Sequence, residues 1–365
     1  MQNTEVLFRP FSMGGLKLKN RIVMAPMTRQ FSPGGIPDQQ VVEYYRRRAE
    51  ADVGLILTEG TTIPHAAASS AIEIPCFHGP ALDGWRKVVE AVHEAGGKIA
   101  PQLWHVGAIR KPGLGPHPDY PTATPSGLLY LGKKVLEPLS TQEIDEIILA
   151  YTRAATDAVH LGFDAIELHG AHGYLIDNFF WEGTNQRTDE YGGSLVKRTR
   201  FAEKIIQSIR AAIGNDFPLI LRFSQWKQQD FEAKLAQTPE QLDQFLTPLR
   251  AAGADIFHCS TRRFWEPEFE GSDLNLAGWT RKLTGKPTIS VGSVGLTEEF
   301  IATYRDGSAE VAGIDNLLER MAADEFDLIA VGRALLANPD WVTKVRNGQM
   351  DSLRTFSKDL LGELY

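Results

Sequence analysis

The sequence predicts an α/β protein of the (β/α)8 barrel class (a TIM barrel), with an N-terminal hairpin and a long loop insertion after its third strand. Three observations point there. Eight short apolar runs recur along the 365 residues, continuous rather than alternating, as in parallel strands covered on both faces. Helical patterns fall between them, the βα alternation a barrel needs. The rival, a doubly wound sheet, would favour a dinucleotide fingerprint, and neither G-x-G-x-x-G nor G-x-x-x-x-G-K-[ST] occurs.

Residues 6–20 carry a Gly14-Gly15 turn between short runs and read as a hairpin closing the bottom of the barrel. Strands are expected at 21–27, 53–59, 98–104, 163–169, 218–224, 254–260, 287–292 and 326–332. Helices are expected at 38–51, 81–95 and 141–161, the last with Ser140 and Glu143 spaced as a capping box and Ile144, Ile147, Ile148 and Tyr151 on one face. Further helices are expected at 195–213, from Thr238 with Pro239 in its first turn, at 297–304, around 315–323 and at 335–345. Residues 107–139, rich in Gly and Pro, fall on the catalytic face as a lid or substrate wall. No linker interrupts the pattern, so residues 1–365 read as one domain.

The apolar fraction of 43% and charged fraction of 23% are those of a globular protein with a large core. A net charge of -8 argues against nucleic acid or an anionic membrane as the main partner. No apolar run reaches membrane-spanning length, and residues 1–5 lack the start of a signal peptide, so a cytoplasmic enzyme is expected. It is expected to act on a small molecule, as a monomer or homo-oligomer. Cys76 and Cys259, the only cysteines, suit core packing better than a disulfide framework.

In a barrel of this class, side chains at the C-terminal ends of the strands converge on one site. Those ends supply Pro26, Met27 and Thr28; Glu59 and Gly60; Gln102 and Trp104; His169, His172 and Tyr174; Arg222; Ser260; Gly292 and Ser293; Gly332 and Arg333. Two imidazoles can hold a carbonyl oxygen with N–H donors, and a phenol can act as an acid. The glycines ending strands 7 and 8, with the Arg333 fork, suit a phosphate. An amide at Gln102 can match a pyrimidine edge, and Arg222 can stabilise negative charge.

These residues sit in longer motifs: Asn20-Arg21-Ile22-Val23-Met24-Ala25-Pro26-Met27-Thr28-Arg29; Gln102-Leu103-Trp104-His105; His169-Gly170-Ala171-His172-Gly173-Tyr174-Leu175; Arg187-Thr188-Asp189-Glu190-Tyr191-Gly192-Gly193-Ser194; and Val331-Gly332-Arg333-Ala334-Leu335-Leu336-Ala337-Asn338-Pro339. In this order and spacing the chain resembles the Old Yellow Enzymes, FMN-dependent ene-reductases, over nearly its whole length. The resemblance implies FMN as cofactor and NADPH or NADH as reductant. It implies that Pro26, Met27, Thr28 and Gly60 line the flavin, Gln102 binds its pyrimidine edge and Arg222 lies by N1 and O2. Gly292, Ser293, Gly332 and Arg333 would hold the phosphate. His169 and His172 would grip the oxygen of an α,β-unsaturated carbonyl or nitro compound, with Tyr174 as proton donor to Cα and no metal involved.

Departures are local. Gly60 stands where many relatives have alanine, and Val291-Gly292-Ser293-Val294-Gly295 varies the usual glycine pair. Gln225-Trp226-Lys227-Gln228-Gln229-Asp230 differs from the shorter common continuation. After strand 6, Phe264 and Trp265 either shape the substrate pocket beside Trp104 or pack against the barrel rim. Three rival readings remain: another FMN barrel with a different base, a metal hydrolase using His169 and His172 with Glu167, His65 and His105, and a non-catalytic binding barrel. The first lacks the His-x-x-His-x-Tyr order, and the second finds too few carboxylates at the strand ends. The third leaves so many convergent polar groups without a use.

Overall fold

The computed structural model describes residues 4–365, the side chain of Tyr304 apart; residues 1–3, part of the stretch read as lacking a signal peptide, lie outside it. Eight parallel strands close into a barrel in chain order: β1 Ile22–Met24, β2 Leu55–Thr62, β3 Ile99–Trp104, β4 Ile166–His172, β5 Leu219–Lys227, β6 Ile256–Ser260, β7 Thr288–Val291 and β8 Leu328–Val331. Closure comes where β8 pairs with β1, Val331 opposite Met24.

Side chains alternate across each strand, and that alternation builds the site. On β5, Leu219, Leu221 and Phe223 face the helices, while Ile220 joins the barrel interior. Arg222 is therefore directed inward above Ile220. The same step places Gln102 above Ala100, Glu167 and His169 above Ala165, and His258 and Ser260 above Ile256. The lower interior is apolar and the upper interior polar.

The expected hairpin forms, Phe11–Met13 against Leu16–Leu18. Phe11, Leu16 and Leu18 are buried with Leu55, Leu328 and Ile256 in the lower interior, so the hairpin plugs the bottom of the barrel. Each such side chain contributes about 1.5–3 kcal/mol by leaving water.

The outer layer holds α1 Gln39–Glu50, α2 Ala81–Glu94, α3 Thr141–Leu161, α4 Arg200–Ile213, α5 Pro239–Ala252, α6 Leu276–Thr284, α7 Asp315–Ala322 and α8 Trp341–Arg346. The capping box at Ser140 and Glu143 is present. Among the described residues, no helix is long and apolar enough to cross a membrane.

Several boundaries differ from expectation. β2, β4 and β5 run three residues further, to Thr62, His172 and Lys227, with register shifts at Leu57/Gly60 and Gly170/His172. The helix expected at 195–213 breaks at Thr199. The one expected at 335–345 is two pieces, Arg333–Ala337 and α8, because Pro339 lacks an N–H and disfavours helix at the residue before it. The helix expected at 297–304 begins at Phe300, where the Glu299 carboxylate caps Ile301 and Ala302. α6 was not expected at all.

Candidate active site

The strand ends enclose a cavity of about 720 Å³ at the C-terminal mouth. Pro26, Met27 and Thr28 line one side; Gln102, Trp104 and Arg222 line its floor and flank. His169, His172 and Tyr174 open onto it, as do Gly292, Ser293, Gly332 and Arg333. Ile109 of the 107–139 insertion also lines it, so the insertion does supply a wall.

Three expected residues lie elsewhere. Gly60 sits behind Trp104, where a Cβ would come within 2.5 Å of the indole. The alanine of many relatives would collide with this tryptophan, which explains the glycine. Phe264 and Trp265 do not line the cavity. Their loop turns outward, Phe264 joins the outer core with Trp265 packed on it, and the two rings meet edge to face at 5.2 Å. The aromatic wall comes instead from Trp226 and Phe300, whose centroids are 5.5 Å apart. The signal for Trp226 was present: Arg222, Ser224 and Trp226 are spaced by two on one strand. Phe300 gave none, because the β7 loop that delivers it is irregular.

Backbone geometry fixes the imidazoles and the phenol. His172 and Gly173 both have positive φ, 66° and 79°, so the chain turns sharply at the top of β4. The Asp177 carboxylate accepts from Gly173 N at 2.7 Å, and Asn178 Nδ2 donates to Gly173 O at 2.8 Å. Behind them Lys227 Nζ meets Asp177 at 2.7 Å, both side chains fully buried. The His169 ring lies 5.1 Å from that of His172 and 4.8 Å from that of Tyr174. Trp226 stacks on His172 at 4.5 Å. Gln228 Nε2 donates to the Tyr174 hydroxyl at 2.8 Å.

Burial, reinforced by the Arg222 guanidinium, holds His169 and His172 well below the usual imidazole pKa of 6.5. Both are neutral at neutral pH, each with one N–H. Arg222 Nη2 donates to Ser260 Oγ at 3.3 Å, and that hydroxyl lies 2.7 Å from His172 Nε2. A hydroxyl carries one hydrogen and two lone pairs, so Ser260 can accept from Arg222 and still pair with Nε2 in either tautomer of His172.

His105 and His258 are likewise fully buried with depressed pKa values, burial being the largest cause for each. In the unfolded chain all four titrate near 6.5. Below that pH the unfolded state binds more protons, so stability present above 6.5 is lost as pH falls towards the folded-state values. The expected slope is up to ~1.4 kcal/mol per pH unit for each histidine. Urea denaturation at pH 7.5, 6.5 and 5.5 checks this; equal midpoints at all three would contradict it.

A closed (β/α)8 barrel with a polar cavity at its C-terminal mouth defines a class, the barrel enzymes whose sites are built from the strand ends. Residues 6–352 match the NADH:flavin oxidoreductase / NADH oxidase family, and the chain belongs to it, within the Old Yellow Enzyme group. It is 34% identical to an NADH oxidase of Thermoanaerobacter brockii over 95% of this chain, but spans about half (52%) of that protein. It is 38% identical to 12-oxophytodienoate reductase 7 of Oryza sativa subsp. japonica, covering 94% of this chain and 89% of that one. The fold matches morphinone reductase in complex with tetrahydroNAD at a TM-score of 0.81, with 28% identity, over 97% of this chain and 93% of that one.

The family's cofactor is FMN, and the residues present fit it. Arg222 Nε is buried with no hydrogen-bond partner among the described residues, as expected of a group awaiting an acceptor. The Gln102 side chain uses only its Nε2 among the described residues, donating to Glu167 at 2.7 Å. At β7 and β8 the Arg333 guanidinium gathers Ser293, Thr303 and the Glu298 carbonyl. Thr303, not expected from the sequence, adds a further hydroxyl to this end of the cavity. Both oxygens of Glu167, which the metal reading needed, are engaged, one by Gln102 and the other by His258.

Proposed function

We propose that this protein is an ene-reductase acting on α,β-unsaturated carbonyl or nitro compounds, with NADPH or NADH as reductant. The observation that carries the reading is the convergence of two neutral imidazoles and a phenol on one cavity face. FMN, once reduced, supplies the hydride for Cβ. The chain's own residues do the rest. His169 and His172 donate to the substrate oxygen and stabilise the negative charge that develops there. Neutral donors suit this role, because they need no proton from solvent during the reaction. Tyr174 gives a proton to Cα. Its hydroxyl accepts from Gln228, which stabilises the phenolate left behind and so favours release of the proton. Trp226 and Phe300 close one side against water. In this assignment Pro26, Met27 and Thr28 line the flavin, Gln102 and Arg222 meet its polar edge, and Gly292, Ser293, Gly332 and Arg333 hold its phosphate. Two relatives carry names that specify an oxo compound and a ketone, which supports a carbonyl substrate.

The test is the visible spectrum under anaerobic conditions. NADPH or NADH bleaches the flavin absorbance, and an enone then restores it. A protein that takes up no FMN, or a bleached spectrum that no enone restores, would overturn the reading.

A further inference from the structure

Gln102, Glu167 and His258 form a buried relay under the cavity that the reaction itself does not use. Glu167 and His258 are wholly buried and Gln102 nearly so. Glu167 stands opposite Gln102 in the β3–β4 register. One Glu167 oxygen takes Gln102 Nε2–H at 2.7 Å; the other lies 2.6 Å from His258 Nδ1. Among the described residues His258 Nε2 is buried and unpartnered, so Glu167 is the one group this ring meets there through its nitrogens.

An amide has two ends of nearly equal shape and opposite polarity. In an open pocket Gln102 could present either one. A carboxylate with a donor on each oxygen only accepts. Flipping Gln102 would set two acceptor oxygens against each other at hydrogen-bond distance, inside a buried site where unmade hydrogen bonds are costly. We infer that Glu167, backed by His258, is a positioning residue that turns the Gln102 carbonyl oxygen to the cavity, so that the site reads an N–H donor on the edge of its ligand. This rests on the assignment of Gln102 to the flavin. The flavin pyrimidine edge has one N–H, at N3, between two carbonyl oxygens; Gln102 Oε1 suits the N–H, and its second N–H suits an oxygen.

Glu167→Gln keeps the shape and changes the logic. His258 Nδ1–H still donates to the new amide's oxygen, which leaves that amide's NH2 facing Gln102. Gln102 then turns its oxygen inward and its NH2 to the cavity, against the flavin N3–H.

The experiment compares FMN with N3-methyl-FMN by fluorescence quenching on the flavin-stripped full-length protein. The wild type binds FMN roughly tenfold or more tightly than the methylated analogue, one hydrogen bond being worth about that factor. In Glu167→Gln the FMN affinity falls and the ratio approaches one. His258→Asn, which keeps a donor near the place of Nδ1, retains the ratio, while His258→Leu lowers it; this pair decides the matter if Glu167→Gln fails to fold. Equal affinities in the wild type, or a ratio unmoved by Glu167→Gln and His258→Leu, would overturn the proposal. A wild type that binds neither flavin would overturn the flavin assignment of the cavity, and this inference with it.

Discussion

Tyr174→Phe slows turnover of an enone by about 10²–10⁴-fold, the usual contribution of a positioned general acid, and leaves reduction of the flavin by NADPH unchanged. The substitution is clean because the ring does more than carry the hydroxyl. It packs edge to face on Trp104 at 4.8 Å and on His169 at 4.8 Å, and phenylalanine keeps both contacts. What is lost is the O–H and the hydrogen bond from Gln228. Stopped-flow measurement separates the two half-reactions. Equal loss in both would mean that Tyr174 shapes the pocket rather than supplying a proton.

Lys227→Met destabilises the fold by about 3–5 kcal/mol, because it strands Asp177 as an uncompensated buried charge. Burial works against the charged form of each partner, raising the pKa of Asp177 and lowering that of Lys227. Their contact at 2.7 Å, with Lys227 also donating to Ser224 O at 2.9 Å, offsets that cost. The pair is also attached to the chemistry. Asp177 holds Gly173 N, and Lys227 is the β5 partner of His172, so the turn that aims the imidazole loosens with it. Adding Asp177→Asn to Lys227→Met restores part of the loss, since the stranded charge is then gone. Urea unfolding of the single and double variants decides the matter. A single-variant loss under about 1 kcal/mol, the range of exposed pairs, would show that the buried pair does not hold this turn.

Most of the frame was legible because its signals are local. Apolar runs mark the strands, and Ser140 with Glu143 marks the start of α3. The strand-end residues followed from period-two alternation, so Gln102, His169 and Arg222 were found together. What escaped depended on partners far away in the chain. β4 and β5 extend past their apolar runs because each completes the other, His172 pairing with Lys227 across a bulge that no single strand announces. α6 carries Gly278, a poor helix former, in its first turn. A Cβ there would come within 2.7 Å of the Glu325 side chain, so the glycine answers a tertiary contact. Phe264 and Trp265 show the same limit: two aromatics in a loop carry no record of which way the loop turns. Trp226 was readable in principle, since it continues the inward set, but only once β5 was known to run that far.

The hairpin at the bottom of the barrel has a kinetic consequence. With Phe11, Leu16 and Leu18 filling the lower interior, the described residues close the well at the bottom of the barrel. In the proposed reaction, reductant and substrate both come in at the mouth and compete for the same floor. Two reactants in such a well take turns instead of meeting. Raising the concentration of one then crowds out the other, and the double-reciprocal plots of a reaction organised this way run parallel rather than converging.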